Sequence, residues 1–142
     1  MRIPIARIDP ALPLPAYSTV GAVGMDLLCR TGATIGPGET GRIPANVIVA
    51  VPKGYVLLIA LRSGTPKRTG LISPGGIGII DNDYCGPQDE LQIQVFNPTD
   101  HEVQVQRGDR IAQAILQPVS TVEWDETAPV SDVSRGGFGS TG

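Results

Sequence analysis

The chain has 142 residues, enough for about one domain. Its 11 basic and 14 acidic side chains give a net charge of -3, so there is no basic excess of the kind that binds nucleic-acid backbone. Apolar residues make up 41% and charged ones 18%, while 18 Gly and 13 Pro stand against only two Phe, three Tyr and one Trp; this excludes gross disorder and long helices and favours short strands joined by turns.

The elements follow in chain order. Residues 2–8 alternate, with Ile3 and Ile5 on one face. Prolines at 4, 10, 13 and 15 leave no apolar h-region near the start, so no secretory signal is expected and a reducing, cytoplasmic compartment is. Residues 47–51 and Tyr55–Leu61 are nearly continuous apolar runs separated by Pro52-Lys53-Gly54, the pattern of strands covered on both faces. The longest apolar run, residues 56–61, is far too short to span a membrane. Residues 63–69 have room for one short turn of helix. Residues 90–96 place Leu91, Ile93 and Val95 inward, and residues 102–106 repeat the period with Val103 and Val105. Asn97-Pro98-Thr99-Asp100 between them is good turn chemistry. Residues 110–119 carry Ile111, Ala112, Ala114, Ile115 and Leu116; the pattern is ambiguous, and Pro118 favours a strand.

The expected fold is therefore all-β. No internal linker or repeat divides it, so residues 1–124 are read as one core. Residues 125–142 are poor in large apolar side chains and cannot pack a core of their own. They form a terminal arm, by default without fixed structure and otherwise ordering on a ligand. Cys29 and Cys85 form no C-x-x-C and have only His101 beside them, so no structural zinc is expected. A disulfide between them is open from spacing alone; the missing signal favours free thiols.

Several short motifs lack their context. Gly137-Phe138-Gly139-Ser140-Thr141-Gly142 matches G-x-G-x-x-G but precedes no helix. Arg107-Gly108-Asp109 spells an adhesion tripeptide without an extracellular setting. Ser63 and His101 lack a nucleophile elbow. Four glycine-punctuated segments carry more. Gly21 to Leu27 contains Asp26, which taken alone is a turn residue before a strand. Arg62-Ser63-Gly64-Thr65-Pro66-Lys67 offers a guanidinium, a hydroxyl and flexible backbone N–H groups, which suits phosphate as well as a solvated turn. Gly78-Ile79-Ile80-Asp81-Asn82-Asp83-Tyr84-Cys85-Gly86 fits a hairpin with Asp81 near its base and Tyr84 across a small pocket. Asp81 can then be a general base, or part of an acidic turn with Tyr84 as packing. In Gly108-Asp109-Arg110-Ile111-Ala112-Gln113, the acid and the cation read first as bridges between elements. Together these cations, hydroxyls and carboxylates suit a phosphorylated ligand with a hard ion such as Mg²⁺.

The ordered set Gly24-Met25-Asp26-Leu27, Arg62-Ser63-Gly64, the segment from Gly78 to Gly86, the segment from Gly108 to Gln113 and the segment from Gly137 to Gly142 resembles the five motifs of the trimeric dUTPase family. The resemblance implies a jelly-roll-like β-barrel or sandwich, a homotrimer with active sites at subunit interfaces, and hydrolysis of dUTP to dUMP and pyrophosphate with Mg²⁺. That reaction limits uracil in DNA and supplies dUMP for dTMP synthesis. It further implies that Asp81 activates water for attack on the α-phosphorus and that Tyr84 packs under deoxyribose. The backbone from Ile77 through Gly78 and Ile80 to Asp81 would read the uracil edge. Arg62, Ser63, Gly64 and Gln113 would hold the phosphates, and Asp26 would support the metal's water shell. Arg135, Ser140 and Thr141, with Gly139, would close on the γ end while Phe138 stacks on uracil. No nucleic-acid or membrane partner is implied.

The chain departs from the family pattern at Val23, at Thr65-Pro66, at Gly75 and in the longer hairpin through Pro87-Gln88-Asp89-Glu90. Arg135 also stands closer to Phe138 than is usual. The alternatives on the same scaffold are a dCTP deaminase and a non-catalytic nucleotide-binding regulator. The Asp81-to-Tyr84 segment and Phe138 favour the hydrolase.

Overall fold

A computed structural model describes residues 1–137. Eleven strands and one short helix run in the order β1 (Ile5–Arg7), β2 (Ala16–Tyr17), β3 (Met25–Leu27), β4 (Ala33–Ile35), β5 (Thr40–Pro44), β6 (Val47–Val49), β7 (Tyr55–Leu61), α1 (Thr65–Thr69), β8 (Gly78–Ile80), β9 (Gln92–Phe96), β10 (Val103–Val105) and β11 (Ala112–Pro118). All pairings are antiparallel. The main sheet has the order β2-β3-β11-β7-β8, and the remaining strands pair as β1-β6, β10-β4 and β5-β9. This is the expected all-β, jelly-roll-like architecture.

Periodicity explains the core. In β9, Ile93 and Val95 are buried while Gln94 is exposed, and in β10 Val103 and Val105 flank exposed Gln104. Leu27, Leu57, Ile59, Ala112 and Ala114 of the main sheet join Ile43, Ile93 and Val95 of β5-β9 in one apolar cluster. Each such aliphatic side chain larger than alanine contributes about 1.5–3 kcal/mol by leaving water. The ambiguous segment near the end of the core is strand β11. It pairs with both β3 and β7, so its backbone is satisfied on two edges despite Pro118 at its last position.

Some expectations need correction. Residues 2–8 do not form a half-buried strand: only Ile5–Arg7 pair, and all three are exposed. The strands at 47–51 and 55–61 are not covered on both faces. Within one chain, buried residues alternate with half-buried ones in both β6 and β7, although the two strands belong to different sheets. The turn at 97–100 joins strands that pair elsewhere, β9 with β5 and β10 with β4. The short strands β2, β4 and β5 carried too weak a period to be read. The short helix is where residues 63–69 placed it. It ends at Gly70 with φ 77°, a left-handed cap that glycine adopts without strain. Both cysteines are free, and burial pushes the Cys29 thiol up to about 12. The Arg107-Gly108-Asp109 tripeptide is spent on structure. Arg107 pairs with Asp9 at 2.6 Å, and Asp109 accepts the Gln106 N–H at 2.8 Å.

Asn97 is wholly buried and ties the strand exchange together. Its amide donates to the carbonyls of Ile35 at 2.9 Å and His101 at 2.8 Å, and its oxygen accepts from the Thr99 N–H at 3.0 Å. Asn97→Ala should leave these groups unmet and lower unfolding free energy by about 2–4 kcal/mol. Urea denaturation would measure this, and a loss under 1 kcal/mol, about one ordinary net hydrogen bond, would show that water replaces the side chain.

Candidate functional site

Two groups of chemically capable residues stand on the main sheet. The first is a cationic cradle where β7 ends. Arg62 continues β7, and its N–H donates to the Ile111 carbonyl at 2.9 Å. Buried Thr65 holds the same carbonyl through its hydroxyl at 2.7 Å, fixing the start of α1. Asp26 in β3 is only 7% exposed. A carboxylate at that depth needs charge or hydrogen-bond partners, and it has three. Arg62 Nε lies 3.0 Å from one oxygen; the Ser18 hydroxyl donates at 2.9 Å to the other, with Arg110 Nη1 at 3.7 Å. Arg62 and Arg68 also donate long bonds to the Arg110 carbonyl, at 3.4 and 3.5 Å.

Gln113 lies opposite Asp26 on β3 and opposite Ala60 on β7, which brings its amide to this end of the sheet. Gly24 leaves room for the Gln113 side chain in its present place. A Cβ on Gly24 would collide with the Gln113 side-chain amide. Arg62 with Ser63 and Gly64 after it, Asp26 and Gln113 thus stand at the same end of the main sheet.

The second group is the β8 hairpin. Strand β8 sits at the sheet edge and pairs only with β7, with Ile80 opposite Leu57 and Gly78 opposite Ile59. Asp81 follows it directly, exposed and with no ion pair among the described residues. Tyr84 is fixed at both ends. Its N–H donates to the Asp81 carbonyl at 3.4 Å and its hydroxyl to the Glu90 carbonyl at 3.1 Å. Glu90 is itself locked by a bidentate pair with Arg30, 2.8 Å at each oxygen, and by the Asn46 N–H at 2.8 Å. The extra hairpin residues close on themselves, with Gly86 N–H donating to Asp89 Oδ2 at 2.7 Å and Asp89 N–H to the Gly86 carbonyl at 3.1 Å. The insertion therefore forms a turn of its own beyond Tyr84. Beside the hairpin lies a cavity of about 380 Å³ lined by Ile77, Gly78, Ile79, Ile80 and Tyr84, with Arg42, Gln92 and Gln94 opposite. Sequence reasoning missed these last three: Gln92 and Gln94 take outward positions of an alternating strand and read as solvent-facing, and Arg42 lies in β5, whose period is too weak to read.

The two groups do not meet within one chain. Moving from Gly78 to Asp81 runs back along β7 from Ile59 past Leu57, away from Arg62. From Leu57 to Arg62, at a rise of about 3.3 Å per residue, the strand covers roughly 16 Å. Arg135 is described and exposed, within a segment from 119 to 137 in which every residue is exposed and none is in a strand. Phe138, Gly139, Ser140 and Thr141 lie outside the described residues. Among the described residues no three His, Cys, Asp or Glu side chains are placed to hold a metal, and the oxygens of Asp26 face cations and a hydroxyl. No helix among the described residues is long and apolar enough to cross a membrane.

Comparison with known proteins agrees with the motif order. The dUTPase family model matches residues 11–142. The deoxyuridine 5'-triphosphate nucleotidohydrolase of Streptomyces avermitilis is 39% identical over 145 residues, covering 100% of this chain and 81% of the relative. That of Finegoldia magna is 40% identical over 134 residues, covering 92% of each. Among solved structures, a dUTPase from Streptococcus mutans superposes with a TM-score of 0.77 at 28% identity, covering 84% of this chain and 98% of that one. A mutant form of a Staphylococcus bacteriophage 80alpha dUTPase with dUpNHpp superposes with a TM-score of 0.86 at 24% identity, covering 99% of this chain and 98% of that one. With a family model spanning nearly the whole chain and full-length relatives at this identity, the chain belongs to the dUTPase family.

Proposed function

We propose that this protein hydrolyses dUTP to dUMP and pyrophosphate. The observation that carries the reading is an exposed carboxylate, Asp81, held beside a doubly anchored tyrosine and a base-sized cavity, on the same sheet as a cradle of arginines. Asp81 accepts a proton from water as its oxygen bonds to the α-phosphorus and the bond to the bridging oxygen of pyrophosphate breaks. Arg62, with Ser63, Gly64 and Gln113, neutralises and positions the phosphate chain, which is most of what such a transfer demands. Asp26 orients Arg62 through the 3.0 Å pair. Tyr84, its hydroxyl held on the Glu90 carbonyl, presents its ring to deoxyribose. The backbone of Ile77, Gly78 and Ile80 offers edge hydrogen bonds to uracil.

Mg²⁺ on the triphosphate would supply charge neutralisation and geometry. The described residues form no protein cage for such an ion, which suits one delivered by substrate; the Asp26 carboxylate, expected to support its water shell, is engaged by Arg62, Ser18 and Arg110.

The reading requires more than one copy. Asp81 and Arg62 lie too far apart on β7 to share one phosphate, so one copy's hairpin must face another copy's cradle. A contact of that kind joins two different surfaces, and where its rotation closes it forms a ring; the family resemblance sets the ring at three. The exposed Ile77 and Ile79 beside the hairpin, 56% and 67% exposed, suit burial in such a contact. Residues 1–124 would be the core. Residues 125–142 would be an arm that brings Arg135, Phe138, Gly139, Ser140 and Thr141 over bound nucleotide and excludes water.

Asp81→Asn should lower kcat for dUTP by about 100- to 10,000-fold while leaving nucleotide binding intact. Pyrophosphate release with dCTP, dTTP and UTP run alongside checks base and sugar selection, and normal turnover in the variant would refute the base. Ammonia released from dCTP would instead identify a deaminase. Mixing Asp81→Asn with Arg62→Ala under subunit exchange should restore up to about a quarter of wild-type activity, the statistical share of sites drawing both intact residues from different copies. Two inactive variants that stay inactive in mixed oligomers would place both residues in one copy's site. Removing residues 134–142 should cut turnover severely with unchanged thermal stability; an unaffected rate would make the arm a bystander.

A further inference from the structure

Asn82 follows the reacting carboxylate and has no part in the roles above. Its side-chain amide nitrogen donates to three backbone carbonyls, those of Val51 at 3.3 Å, Pro52 at 3.0 Å and Tyr55 at 2.9 Å. These carbonyls belong to the tight turn between β6 and β7, closed by the Tyr55 N–H on the Pro52 carbonyl at 3.1 Å with Gly54 at φ 78°. A carboxamide has two N–H groups, so three acceptors saturate it and fix which way it points.

This contact falls where the sheet stops holding the chain. The ladder between β7 and β8 ends at Ile80 opposite Leu57, and β8 has no partner on its other side. Past Ile80 the Asp81 carbonyl receives only the long 3.4 Å bond from Tyr84. The Asp81 side chain has no ion pair of its own among the described residues. Its place is therefore set by backbone, pinned on one side by the Ile80 ladder position and on the other by the Asn82 amide.

We propose that Asn82 is a positioning residue for Asp81, clamping the exit of β8 to the β6–β7 turn so that the carboxylate is held where water must be deprotonated. The proposal rests on the reading of Asp81 as general base. A base must lie within about 2.6–3.2 Å of the atom it deprotonates, and a misplacement of about 1 Å costs on the order of 100-fold in rate. The clamp acts on orientation, so it should be felt in the chemical step and not in ground-state binding.

The test is kcat, KM and thermal unfolding for Asn82→Ala, Asn82→Asp and Asn82→Ser, with affinity for dUpNHpp and with Asp81→Asn as reference. Asn82→Ala should lower kcat about 10- to 100-fold with KM and dUpNHpp affinity within about threefold. Asn82→Asp keeps the shape and loses both donors, so it should be no better than the alanine variant. Asn82→Ser keeps one donor and should recover part of kcat. An alanine variant within about threefold of wild-type kcat, while Asp81→Asn is inactive, would overturn the clamp alone. An equal loss in kcat, in dUpNHpp affinity and in thermal stability would also overturn it, in favour of a purely structural role. Normal turnover by Asp81→Asn would overturn the base assignment on which the clamp depends.

Discussion

The antiparallel pairing of β7 with β11 is the constraint on which the site depends. It runs from Ala112 opposite Leu61 to Pro118 opposite Tyr55, and a third strand attaches to each outer edge. On one edge β3 carries Asp26 to a position opposite Gln113; on the other β8 carries the hairpin. Because an antiparallel ladder fixes register residue by residue, the cradle and the carboxylate acquire a set separation along β7. On the proposed reading, that separation is what makes a single chain one partner of an assembled site.

Polar groups buried beneath the hairpin make the second contribution. Glu90 sits at 8% exposure, where an unpaired carboxylate would be costly. Its bidentate pair with Arg30 and the Asn46 N–H satisfy it. Asn46 holds a positive φ of 69°, a conformation that asparagine tolerates better than most residues. Its side chain also exchanges hydrogen bonds with the Asp9 backbone at 2.7 and 3.0 Å. The network thereby links the N-terminal segment to the carbonyl that receives the Tyr84 hydroxyl. The Tyr84 ring is thereby supported by a hydrogen-bonded shell beneath it.

The same economy of loops appears on either side of the site. The residues after Gly86 form a turn closed by Asp89. Thr65-Pro66, another departure from the family pattern, serves the fold: the Thr65 hydroxyl fastens α1 to the Ile111 carbonyl, and proline is favoured in a first helical turn. Both changes lie beside functional segments and leave the charge of the cradle intact.

The sequence by itself determined the all-β class, the strand at Tyr55–Leu61, the inward Leu91, Ile93, Val95, Val103 and Val105, and the five motifs with their order. These are local properties: a period of two, turn residues and short spacings are written in adjacent letters. Tertiary structure decided that β9 and β10 part to different partners, that one face of β6 and β7 stays half-exposed, and that Arg110 joins Arg62 on Asp26. It also decided that Asn82 grips the β6–β7 turn and that Arg42, Gln92 and Gln94 wall the cavity. Each of these is a contact between residues far apart in the chain, set by register and sheet order, which the pattern along one strand does not encode.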